Sequence, residues 1–189
     1  VLPERVKEDL PKAIKEIQKG GSFCNIMTTA VESVNNEVDV NVLRTASKVG
    51  IKYYRTNWFK YKDELSLSDS LEYYKDEVRK LGELNKELGL VGCYQNHAGT
   101  KVGASYWEIF ELLKLVNPNY FGTQYDIRHA MVEGGLSWEN GLKLLQSSIK
   151  VIVLKDYKWE NVNGNWKVKN VPIGEGMVDF DRYFKLLKK

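Results

Sequence analysis

The stretch QYDIRHAMVEGG, from Gln124 to Gly135, sets Asp126 three residues ahead of His129 in a chain with only two histidines. A carboxylate beside an imidazole can hold a cation, orient a substrate hydroxyl or move a proton. The same stretch also reads as the polar edge of a loop. The second histidine, His97, closes YQNH, where Gln95, Asn96 and His97 make a polar strand end. Lys155 and Asp156 finish IKVIVLKD, and Arg55 lies in IKYYRTNW three residues before Trp58. A lysine or arginine inside a folded domain is costly unless it is paired or faces an anionic or hydroxyl-rich ligand. Arg55 and Lys155 are therefore read as ligand-binding. Asp156 points to the opposite face and is read as structural. Glu175, between two glycines in GEG, is a loop carboxylate within reach of the same region.

Those residues need elements to hold them at one place. Residues 3–19 have helical spacing, with Val6, Leu10, Ile14 and Ile17 on one face and Gly20-Gly21 as the stop. Phe23 to Thr28 is a short apolar strand. Helices are expected over 38–49, from Ser68 or Asp69 to Leu88, over 105–116, from Ser137 onward, and from about Asp179 to Leu187. Strands are expected at Ile51–Trp58, Leu90–His97, Phe121–Asp126 and Ile149–Asp156. The Asn-Gly in WENVNGNWKV predicts a small hairpin near 158–170. Strand and helix alternate, which calls for parallel βα units. Connections after helices are short and those after strands are long and polar, the asymmetry of a (β/α) barrel, whose chemistry sits on the loops after its strands. About five of the eight βα units are present, so the expected fold is α/β, an incomplete TIM-type barrel in one domain over 1–189.

Alternation of faces along each strand groups Arg55 with Tyr53 and Asn57, Gln95 and His97 with Cys93, Asp126 with Gln124, and Lys155 with Val153. If these are the interior faces, Arg55, Gln95, His97, Asp126 and Lys155 converge on one mouth and His129 arrives from the loop. Trp58, Trp107 and Trp159 offer flat faces for stacking on a sugar, with Trp107 read as helix packing. The alternative for Asp126 is a carboxylate neutralised by Arg or Lys at a strand end.

Bulk properties narrow the class. The chain has 189 residues, a net charge of +3, 43% hydrophobic and 28% charged residues, a globular balance. No basic run is interleaved with aromatics, so a nucleic-acid partner is not expected. No segment is apolar enough to span a membrane. Cys24 and Cys93 fall in apolar runs and read as buried thiols. There is neither a GxGxxG after the first strand nor a GxxxxGK[ST], which removes the two commonest nucleotide loops. A cytoplasmic location is expected, with a periplasmic or secreted one open because the chain starts Val-Leu-Pro-Glu without Met.

Four segments, YQNHAG at 94–99, GTQYDIRHAMVEGG at 122–135, VIVLKDYKW at 151–159 and VPIGEGMVDF at 171–180, resemble in order and spacing the sugar phosphate isomerase/epimerase family of xylose isomerase-like TIM barrels. The resemblance implies that the first two strands and the last one lie outside this chain. It further implies a divalent metal (Mn, Mg or Zn) held by four ligands at the mouth. The Asp ligand falls on Asp126, the Glu/His position on Gln95 and the His position on Val153, while the final Glu has no counterpart here. Gln is a poor ligand and Val is none. The family's isomerases abstract a proton between two substrate oxygens and stabilise the enediolate. On that pattern Asp126 and Glu175 are the catalytic candidates. Arg55, Trp58, Gln95, Asn96, His97, His129 and Lys155 are the candidates for binding a small carbohydrate. A metal-independent carbohydrate-binding member is the alternative. An apurinic-site endonuclease shares the barrel but needs a His- and Glu-rich three-metal cluster that two histidines cannot supply.

Overall fold

A computed structural model describes residues 1–188. The expected alternation is present: α1 (Val6–Lys19), β1 (Ile26–Thr28), α2 (Glu37–Lys48), β2 (Tyr53–Arg55), α3 (Leu67–Leu88), β3 (Val91–Gln95), α4 (Tyr106–Leu112) and β4 (Phe121–Asp126). It continues with α5 (Ile127–Gly134), α6 (Trp138–Leu145), β5 (Ile149–Val153), β6 (Asp156–Val162), β7 (Asn165–Val171) and α7 (Phe180–Leu187). β1 to β5 form one parallel sheet in sequence order. Five consecutive parallel strands, joined through helices, make an incomplete barrel of the TIM type. β6 and β7 form a separate antiparallel hairpin.

Local chemistry explains most boundaries. The side chain of Asn36 caps α2 by accepting from Val38 N–H, and that of Ser66 caps α3 by accepting from Asp69 N–H. Ser66, and not Ser68 or Asp69, is therefore the cap of α3. Gly89 ends α3 at φ 68°, a left-handed residue that glycine adopts without a Cβ clash. The hairpin spans 156–171, slightly wider than expected. Asn163 and Gly164 both have positive φ, 53° and 82°, as a tight two-residue hairpin turn requires.

Three further expectations need correction. The helix expected to follow β4 only at Ser137 is preceded by α5, which starts directly at the strand end because Asp126 caps it. The fifth strand stops at Val153, and Asp156 opens the hairpin instead. Phe23 lies outside the first strand and is 85% exposed.

The face of the sheet carrying Tyr54, Tyr94, Phe121 and Tyr125 packs on the helices and is fully buried. Leu81 of α3, Ile109 of α4 and Leu142 of α6 close over it. Removing this apolar area from water, at about 25 cal/mol per Å², is the main force holding helices to sheet. The opposite face carries Arg55, Cys93, Gln95 and Asp126. Both cysteines are free; Cys93 is buried and Cys24 only half-buried. Burial pushes the Cys93 thiol up to about 12, which leaves it protonated and inert. No described helix is long and apolar enough to cross a membrane.

Candidate functional site

Register decides which strand ends meet. Arg55 pairs with Cys93, Gln95 with Gln124 and Asp126 with Val153. The stagger carries Asp126 one face-step above Gln95's own partner, and Lys155 one face-step above Val153. At that level Asp126, fully buried, becomes the centre of a hydrogen-bonded cluster. Its Oδ2 accepts from Lys155 Nζ at 2.8 Å and from Gln95 Nε2 at 2.9 Å. Its Oδ1 accepts from the backbone N–H of His129 at 3.2 Å, the N-cap bond of α5. The D-x-x-H spacing is thus a capping spacing, since a cap side chain reaches the third residue of its helix. That signal in the sequence also announces α5.

The main chain of Asp126 is clamped by Asn96. The amide Nδ2 of Asn96 donates to Asp126 O at 3.0 Å, and its Oδ1 accepts from Asp126 N–H at 2.8 Å. Asn96 is 1% exposed, and both polar atoms of its amide hold the aspartate in place.

The two histidines lie face by face, ring centroids 4.0 Å apart. Their hydrogen bonds assign complementary tautomers through the same residue, Ala98. His97 Nδ1 lies 3.0 Å from Ala98 O, a pure acceptor, so Nδ1 carries the proton and Nε2 keeps its lone pair. His129 Nδ1 accepts from Ala98 N–H at 3.1 Å and from Arg128 Nη1 at 2.9 Å, so its proton sits on Nε2. That nitrogen is 3.7 Å from Asp126 Oδ2. Burial, reinforced by His97 and the charges of Arg128 and Lys155, pulls His129 down to about 2. Burial also lowers His97, against the opposing pull of Ala98 O. Both rings are neutral near neutral pH, one an acceptor and one a donor. His129 belongs to the first turn of α5, not to a loop.

Beyond His97 the wall continues. Trp58 tilts against His97 at 4.4 Å, and the Arg55 guanidinium lies over the Trp58 ring at 4.0 Å. The expected convergence of Arg55, Gln95, His97, Asp126 and Lys155 is therefore realised as a continuous chain of contacts, with Trp58 and His129 as links. Glu175 stands apart: it is exposed, on a loop where its N–H bonds Pro172 O, and among the described residues no hydrogen bond joins it to this cluster. Trp107 is 58% exposed on α4 and meets Tyr106; Trp159 is on the hairpin beside Tyr157. Among the described residues neither has a ring contact with the mouth cluster.

Asp156 is the structural residue it was read to be. Its carboxylate accepts from the N–H groups of Tyr157, Gly174, Gly176 and Val178. Burial pushes its pKa up, but those four donors outweigh it and hold the carboxyl below its usual range. The GEG loop is thereby fastened to the start of β6.

The donor set implied for a metal can be tested against these contacts. Both Asp126 oxygens are engaged by fixed donors, Gln95 points its amide nitrogen at the same carboxylate, and Val153 has no donor atom. Among the described residues no three His, Cys, Asp or Glu side chains are grouped to hold a metal ion. The Lys155 ammonium supplies the positive charge beside Asp126. These residues do not fit a divalent-metal site.

A family model described as xylose isomerase-like TIM barrel matches residues 40–189. Among curated proteins, the inosose dehydratase of Clostridium botulinum (strain Alaska E43 / Type E3) is 30% identical over 127 residues, 58% of this chain and 40% of that protein. The chain therefore spans well under half the length of the curated relatives it matches. A crystal structure of a D-tagatose 3-epimerase-like protein superimposes with a TM-score of 0.74 at 17% identity, over 97% of this chain and 73% of the other. The IOLI protein, solved with a bound zinc atom, superimposes with a TM-score of 0.73 at 18% identity, over 98% and 70%. Identities this low show a shared fold.

Proposed function

From the premise that the chain belongs to the xylose isomerase-like TIM barrel family, we propose that it is the site-bearing part of a carbohydrate-acting enzyme that removes a proton beside a carbonyl. The observation carrying this reading is the pair of neutral histidines of opposite tautomer next to the Asp126–Lys155 ion pair. The free Nε2 of His97 is a proton acceptor. The Nε2–H of His129 and the ammonium of Lys155, whose side chain is 41% exposed, are donors for the oxygen that gains charge as the proton leaves. Asp126 holds both donors in place, and Gln95 holds Asp126. Trp58 offers an apolar face to the sugar ring.

Proton removal of this kind opens two outcomes. Returning the proton to another carbon or face isomerises or epimerises the sugar, as the sequence motifs led us to expect. Expelling a neighbouring hydroxide dehydrates it, which is what the name of the inosose dehydratases describes and makes those relatives lyases. Both routes share the first step, and the site supports that step.

The shared step is measurable as deuterium entering a ketose or inosose from D2O, followed by NMR. The expected result is exchange that persists in chelator and falls at least about 100-fold in Asp126→Asn, the usual scale for a positioned acid–base system. Sugar binding without any exchange would favour a binding protein over an enzyme. Exchange abolished by chelator and restored by a divalent metal would overturn the metal-free site.

A further inference from the structure

Arg55 is a buried cation that nothing in the described chain neutralises. It is 7% exposed, and among the described residues no carboxylate lies within ion-pairing distance of it. Among the described residues its one hydrogen-bond acceptor is the carbonyl of Thr56, at 2.7 Å from Nη1. A guanidinium has five N–H donors, so most of its capacity is open. Stacking on Trp58 offsets part of the desolvation but satisfies no N–H. Trp58 itself has a buried Nε1 without an acceptor among the described residues. Lys101 adds a second cation 5.5 Å from the same ring. At the far end of the wall, by contrast, Lys155 is neutralised by Asp126. Arg55 thus lacks the carboxylate partner that Lys155 has, and Arg128, half-buried against His129, lacks one as well among the described residues.

We propose that Arg55, with Trp58 and Lys101, is an anion subsite that selects a carbohydrate carrying a carboxylate or phosphate group at the end remote from the reacting carbon. The inference rests on the carbohydrate reading above. A planar forked donor pairs with two oxygens of such a group, and burial strengthens the pairing. The Trp58 and His97 rings then line the span between anion and reactive centre.

Calorimetry on the protein at low salt, with D-gluconate, D-glucose 6-phosphate, D-glucose and inorganic phosphate as probes, tests this. We expect at least one acidic sugar to bind about tenfold or more tightly than glucose, with the preference lost in Arg55→Met and reduced in Lys101→Met. Gluconate or glucose 6-phosphate winning would tell carboxylate from phosphate. If Arg55→Met does not fold, the unmodified protein still decides: added salt must weaken acidic sugars and leave glucose nearly unchanged. Equal binding of glucose and both acids overturns the anion subsite while leaving the carbohydrate reading intact. Binding of inorganic phosphate with no carbohydrate bound overturns the carbohydrate reading and this inference with it.

Discussion

Asp126 commits each of its polar atoms to a fixed partner: two side-chain donors and a backbone N–H on its carboxylate, and the Asn96 amide on its own peptide. Such a residue holds its neighbours in place, the His129 imidazole among them. Protonation of that ring leaves a mark on stability. The folded His129 binds its proton far less readily than an unfolded histidine, so below the unfolded pKa near 6.5 the unfolded state gains protons that the folded one refuses. Stability contributed by the neutral ring is present above that pKa and is lost as pH falls toward the folded value. Denaturation midpoints are expected to drop by the equivalent of about 2 kcal/mol between roughly pH 7 and pH 5, and His129→Gln should flatten that slope. An unchanged slope in the variant would place the titration elsewhere.

At the scale of elements, β4 and β5 set the site's spacing. Their register shifts between Thr123 and Gln124, a bulge that re-aims the residues above it. Gly122 lies just below, where an added Cβ would come within 2.3 Å of the Ser148 carbonyl oxygen. Backbone cannot yield as a flexible side chain can. Gly122→Ala is therefore expected to destabilise the chain by about 2 kcal/mol in urea titration and to weaken sugar binding by displacing Lys155 from Asp126. Loss of stability with binding intact would show that the bulge serves packing alone. Helix α5 belongs to the same argument. It has eight residues and follows its strand without a loop, so hydrophobic periodicity was too short to announce it, while the capping spacing was already in the letters.

Over the whole molecule, Asp156 ties the β6–β7 hairpin to the segment before α7. Four N–H groups from the hairpin start and from the loop before α7 converge on one carboxylate, and Gly176 must lack a Cβ because that atom would fall 2.1 Å from Asp156 Oδ1. Replacing Asp156 by Ala strands those donors, two of them in buried bonds, and an expected loss of about 2 kcal/mol should be read by thermal unfolding, with proteolysis at the 172–177 loop rising in step. An Asp156→Ala chain as stable and protease-resistant as the original would contradict this role.

The fold class, the order of the strands and the list of polar strand ends were legible in the letters alone, because period-two and period-3.6 patterns follow from local backbone geometry. So were the hairpin and the structural part played by Asp156. What only the tertiary structure decided was who meets whom. The pairing of Asp126 with Lys155, the clamp of Asn96 on the Asp126 backbone, the tautomers dictated by Ala98 and the isolation of Arg55 all depend on strand register and on how the loops above the strands fold back. Spacing along the chain fixes the face on which a side chain stands. Only the stagger between neighbouring strands sets its height, and height decides whether a charge finds a partner or is left for a ligand.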